Sequence, residues 1–320
     1  MKRFLLALAA IAAFASPAAA GYPDRAISII VPLPPGGPAD TVARVIGQKL
    51  QERLGQPVTI DNRPGALGLI GAEVGAHAKP DGYTIVMVSS GLAIQVATQP
   101  KTVRFDVHKD LSPVTYAVKV PMVVAAGPSA PFKTMKEFVE YAKTRPGQLS
   151  VGVSPGLGGT AHLTLERMKL GVGLDVVAVP YKGSAPAIQA LLSGEVPAAI
   201  DTLAGMSGLI DDGKIRALAM LTDQPAINHE KIPTIADAGY AGYAADTWNG
   251  FMVPGGTPKE IVDVLHREIV AILALPEVKE KILAVGLEPA TNTPEQFSQS
   301  FDAAIATWTK VAADAKLKFE

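Results

Sequence analysis

Ile27-Ser28-Ile29-Ile30-Val31, followed at once by Pro32-Leu33-Pro34-Pro35-Gly36-Gly37-Pro38-Ala39-Asp40, is the stretch that decides the fold. The apolar run reads as a buried strand, and the Pro/Gly run behind it ends that strand abruptly. A helix is expected over residues 40–54, because Val42, Val45, Ile46 and Leu50 fall on one helical face. Strand, glycine-rich turn and helix together make the repeating unit of an open α/β sheet. Such a turn leaves backbone N–H groups unpaired at the helix start, where the helix dipole adds partial positive charge. Asp40 reads most simply as the cap of that helix, with ligand contact as the alternative.

Working outward, the same unit recurs. Further strands are expected at residues 58–60, 85–88, 123–126, 149–153, 176–179, 198–200 and 217–221, and the chain beyond Pro258 reads as mostly helical. Strands alternating with helices predict an α/β protein whose sheets are mainly parallel, with helices on both faces. Residues 121–128 and 247–254 look like crossings between two lobes. One lobe is therefore expected from 21–124 plus 249–320, and the other from 125–248.

Composition narrows the function. Lys2 and Arg3 precede an apolar run from Phe4 to Ala15, and Ala18-Ala19-Ala20 supplies a small-residue cleavage pattern. Residues 1–20 are expected to be a signal peptide cleaved near Ala20, too short to span a bilayer and with no lipid-acceptor cysteine behind it. Without them 27 basic residues face 30 acidic ones. So mild a charge gives no electrostatic reason to bind nucleic acid or to insert into a membrane. The absence of cysteine removes disulfides and thiol catalysis. His77, His108, His229 and His266 show no metal-ligand spacing with carboxylates, so neither metal nor cofactor is expected.

Two catalytic motifs overlap in residues 152–161. Gly152-x-Ser154-x-Gly156 fits a nucleophile elbow, and Asp201 and His229 follow in the right chain order. The residue after the nucleophile must donate its N–H to the oxyanion hole, however, and here it is Pro155, which has none. Gly156-x-Gly158-x-x-Ala161 fits a dinucleotide fingerprint, but its candidate acid, Asp175, falls at the start of a strand rather than the end. What both motifs share is a second anion cradle, Ser154 to Thr160, in which Thr160 either caps the helix or donates to a ligand. Ser89-Ser90-Gly91 adds hydroxyl donors at the end of a third strand.

The order of motifs resembles the substrate-binding proteins of tripartite tricarboxylate transporters, the Bug or TctC family. The resemblance rests on residues 31–40, on Asp61-Asn62-Arg63-Pro64-Gly65 through Gly71, and on Pro80-Asp81-Gly82-Tyr83-Thr84. Pro180-Tyr181-Lys182-Gly183, Trp248-Asn249-Gly250-Phe251 and Gly256-Thr257-Pro258 continue it, so it covers essentially the whole chain after the leader. It implies a periplasmic solute-binding protein of the type II-like Venus flytrap kind, with two lobes closing over a carboxylate for delivery to inner-membrane transporter subunits. By matching position, Leu33, Pro35, Gly36, Gly37, Asp40, Ser89, Ser90, Ser154, Gly158, Gly159, Thr160 and Asp201 would line the site. Asp201 either accepts a bond from the ligand or caps the following helix. Leu67 stands where the family usually has glycine, and Leu33 where an aromatic is common. A monomer is expected, since both lobes must move. A ligand sensor for a membrane receptor and an exported hydrolase using Ser154 are the other readings.

Overall fold

The computed structural model describes residues 21–245 and 247–317, so the expected signal peptide lies outside the described residues. The chain begins with β1 (Ile27–Val31), α1 (Pro38–Leu54), β2 (Val58–Asn62), α2 (Leu69–Ala76), β3 (Thr84–Ser89), α3 (Ser90–Thr98) and β4 (Leu111–Lys119). It then builds β5 (Met122–Ala126), α4 (Met135–Lys143), β6 (Leu149–Val153), α5 (Thr160–Met168), β7 (Val176–Pro180), α6 (Ser184–Ser193), β8 (Ala198–Thr202), α7 (Leu203–Asp211) and β9 (Arg216–Met220). It returns through β10 (Trp248–Pro254), α8 (Lys259–Ala274), α9 (Pro276–Ala284), β11 (Glu288–Pro289) and α10 (Pro294–Asp314).

The strands form two sheets, ordered β11-β4-β10-β3-β1-β2 and β7-β6-β8-β5-β9, one in each lobe. Both are mixed, which corrects the expectation of mainly parallel sheets. β1 runs parallel to β2 and β3, and β6 parallel to β7 and β8. β10 is antiparallel to β3 and β4, and β5 is antiparallel to β8 and β9. The physical reason is the double crossing. Strands whose carboxyl ends point at the interlobe space must be opposed by any strand that enters a lobe from that space.

The chain changes sheet at Val120-Pro121 and again just before Trp248. The two stretches read as crossings from sequence are thus mostly the crossing strands themselves, and the positions 124/125 and 248/249 fall within β5 and β10. β4 escaped the sequence reading because Pro113 interrupts it. The sheet accommodates that proline beside a register shift opposite Phe251 and Met252.

Alternation along each strand feeds two faces. Ile27, Ile29 and Val31 pack with Val42, Ile46 and Leu50 of α1, whereas Ile30 packs with Val86, Trp248 and Phe297 on the other side. The second sheet is covered likewise by Phe138 and Leu165 on one face and by Leu191 and Met206 on the other. The lobes also touch each other away from the crossings. Ile94 of α3, Leu163 of α5 and Trp308 and Val311 of α10 form one buried cluster. The Ile227 N–H donates to Glu288 Oε1 at 2.7 Å. Among the described residues, no helix is long and apolar enough to cross a membrane.

Candidate functional site

The two glycine-rich turns fold alike, one in each lobe. Gly37 and Gly159 are the N-caps of α1 and α5, with φ/ψ of −80°/170° and −80°/168°. Each follows a glycine in the left-handed region, Gly36 at φ 84° and Gly158 at φ 78°, which a β-carbon would strain. In each turn the third helical residue reaches back to the glycine four positions earlier. Asp40 Oδ2 accepts the Gly36 N–H at 2.9 Å, and His162 Nδ1 accepts the Gly158 N–H at 3.1 Å.

Asp40 is therefore not the cap of α1, which corrects the simplest sequence reading. The helix starts two residues earlier, at Pro38, whose fixed φ and missing N–H suit the first position. The buried Asp40 carboxylate instead ties three elements together, accepting also from Arg44 Nε at 2.8 Å and Asn62 Nδ2 at 2.9 Å. Asn62 in turn donates to the Leu33 carbonyl at 3.1 Å, which fixes the loop ahead of α1. Burial alone would raise the Asp40 pKa, but the bonds from Arg44, Gly36 and Asn62 outweigh it and hold the carboxyl below its ordinary value. Asp40→Ala is expected to destabilise the protein by about 2–4 kcal/mol, since the Gly36 N–H and the Asn62 amide lose their acceptor. Urea unfolding measures this, and Asp40→Asn, which keeps an acceptor oxygen, should lose less.

His162 is buried, and burial holds its imidazole below the ordinary 6.5; Glu166 pulls upward and Lys169 downward. A neutral ring is what the contact with Gly158 requires, because an imidazolium has no acceptor nitrogen. Since the folded pKa is lowered, the unfolded chain takes up this proton first. Stability present above pH 6.5 should thus be lost as pH falls through 6.5 toward the lowered folded value. Urea midpoints between pH 7.5 and 5 should fall more gently for His162→Gln, whose amide oxygen accepts without titrating; equal slopes would remove His162 from the account.

Between the lobes lies a cavity of about 250 Å³. The first lobe contributes Leu33, Pro38 and Ala39, Leu67, Ser89 to Gly91, and Leu287. The second contributes Pro155, Gly159, Thr160, Thr202 and Ala204, and the crossings contribute Val120 and Thr247 to Asn249. Four helices thus begin on this cavity: α1 and α3 from one lobe, α5 and α7 from the other. The first N–H groups of a helix have no partner within it, and each start carries roughly half a positive charge. The cap hydroxyl of α7, on Thr202, accepts the Gly205 N–H at 3.3 Å, whereas Ser89 makes no side-chain cap to α3. Among the described residues, no acidic or basic side chain borders the cavity.

Of the residues singled out from sequence, Leu33, Ser89, Ser90, Gly159 and Thr160 border the cavity. Pro35, Gly36, Gly37 and Gly158 shape the two turns without bordering it, and Asp40, Ser154 and Asp201 are buried behind its wall. Asp201 does not cap α7; Thr202 does. Asp201 is still within β8, and its Oδ1 accepts from the Ser184 hydroxyl at 2.9 Å and the Thr202 N–H at 2.6 Å. Burial raises its pKa, with the Thr202 N–H and the hydroxyls of Ser184 and Ser154 pulling the other way. Ser154 is 3% exposed, and His229 lies against Asp211 at 3.5 Å instead of completing a triad. Arg63 Nε donates to the Asp61 carboxylate. Sequence reasoning missed Leu67, Val120, Thr202, Asn249 and Leu287 as wall residues, because nothing local marks them. Trp248 also borders the cavity and stacks on Tyr116 at 4.8 Å between centroids.

Comparison with known proteins shows the family and the same overall fold. Residues 42–317 match the tripartite tricarboxylate transporter family receptor. Protein BugT of Bordetella pertussis is 37% identical over 97% of this chain and 96% of its own length. The solved structure of R. palustris Rpa4515 with adipate is 36% identical, with a TM-score of 0.81, and covers 93% of this chain and 99% of that one. MatC from Rhodopseudomonas palustris, solved with bound malate, is 30% identical with a TM-score of 0.76, covering 91% and 99%.

Proposed function

This chain belongs to the tripartite tricarboxylate transporter family of receptors, and from that premise we propose that it captures a small carboxylate in the interlobe cavity. It then delivers the ligand to the subunits of a tripartite tricarboxylate-type transporter in the inner membrane. The family is one of binding proteins and not of enzymes. The protein acts in the periplasm as a monomer, after removal of a leader ending near Ala20.

The observation that carries this reading is the meeting of four helix starts, two from each lobe, on a cavity that no charged side chain borders among the described residues. Aligned backbone dipoles attract an anion without needing a lysine or arginine. A ligand held from both sides favours the closed arrangement by its differential affinity for it, and that is the form a transporter can recognise. Adipate and malate, bound by the two relatives above, are the first ligands to try. Calorimetric titration of the mature protein should show saturable binding of at least one of these acids and none of the corresponding diamides. Diamides binding as tightly as the acids would sink the reading, since the helix starts would then contribute nothing to recognition.

A further inference from the structure

We propose that the cavity selects carboxylates whose body is bare hydrocarbon, and that Leu67 is the residue that sets this preference. The inference rests on the carboxylate-binding reading and adds the class of acid to it. Leu67 sits at φ 52°, ψ 30° in a short helical turn after β2, a conformation that disfavours any residue with a β-carbon. Ala66 before it is also left-handed, at φ 45°. Local backbone preference therefore argues for glycine at 67, yet a half-buried leucine is there and borders the cavity.

The Leu67 side chain is not alone. Leu33 from the turn after β1, Val120 from the crossing and Leu287 from the turn before β11 border the same space. Four separate segments thus bring branched aliphatic side chains to one cavity, while its hydroxyl and amide groups sit on Ser89, Ser90, Thr160, Thr202, Thr247 and Asn249. A carboxylate seated at the helix starts leaves its body against the leucines. A hydroxyl there would give up its water without a partner, and a methylene would not. An apolar wall discriminates against an added hydroxyl by up to about a hundredfold.

The test is calorimetric titration of the mature protein with succinate, malate, adipate and hexanoate, repeated with Leu67→Gly. Glycine is at ease at this φ, so the variant should keep its urea midpoint or raise it. In the wild type, succinate is expected to bind at least tenfold tighter than malate, which differs from it by one hydroxyl, and adipate or hexanoate tighter still. In Leu67→Gly the succinate-to-malate ratio should shrink fivefold or more. Malate binding as tightly as succinate, or a ratio unchanged in the variant, overturns this inference and leaves the carboxylate reading in place. Failure of every acid overturns both.

Discussion

Thr160→Asp is expected to abolish carboxylate binding while leaving the fold as stable as before. Thr160 is the first residue of α5 and borders the cavity, where none of the described residues offers a basic side chain to neutralise a new carboxylate. An acid in the first turn of a helix stabilises it by about 0.3–1 kcal/mol, because it faces the positive end of the dipole. The same carboxylate repels an incoming one. At 4 Å and an effective dielectric of 20 that repulsion is about 4 kcal/mol, or roughly three decades of affinity. The substitution would in effect supply the site with its own anion. Calorimetry with the best-binding acid and a thermal melt read the two halves separately. Unaltered affinity with an unaltered melt would mean that α5 does not face the ligand. Thr160→Val is the control, costing only what the hydroxyl contributes, about 0.5–1.5 kcal/mol for a neutral bond.

Trp308→Ala should produce the largest loss of stability of the substitutions considered, about 3–5 kcal/mol, as expected for truncating a buried tryptophan. Trp308 is 4% exposed, and its neighbours Ile94 and Leu163 belong to different lobes. Part of the loss should therefore appear as weaker ligand binding, although α10 contributes no residue to the cavity. Contacts made only when the lobes meet add to the free energy of closure, and closure is coupled to ligand capture. Leu163→Ala checks this from the opposite lobe with a smaller residue, at about 2–5 kcal/mol. If both variants lose stability and bind every acid as tightly as wild type, the cluster is packing alone and has no part in closure.

Much of the architecture was legible in the sequence because it is local. An apolar run stopped by Pro34-Pro35-Gly36-Gly37 marks a strand end and a helix start within a dozen residues. The same holds for residues 149–160, where the observed strand matches the expected one at both ends. Pro155 argued against an oxyanion hole without any coordinates, since a missing N–H is a covalent fact. Assignments that depended on direction rather than sequence position went astray. Asp40 is the third residue of α1 and not its cap, because Pro38 can begin a helix and Asp40 holds Gly36 and Asn62. Of the two readings of Asp201, capping fails, since Asp201 belongs to the strand and Thr202 caps the helix.

By itself, then, the sequence determined two glycine-rich turns, each ending a strand and opening a helix, in a chain with no charge or cysteine chemistry to suggest catalysis. Capping, periodicity and proline geometry act over a few residues, and a short window contains all of their information. Only the tertiary structure decided that α1, α3, α5 and α7 begin on one cavity, and that Leu67, Val120 and Leu287 close its apolar side. Those residues are separated by up to 220 positions in the chain. They meet because two mixed sheets, joined by crossing strands at Pro121 and Trp248, turn their carboxyl ends toward each other. That long-range pairing is set by the packing of whole faces, which no local pattern records.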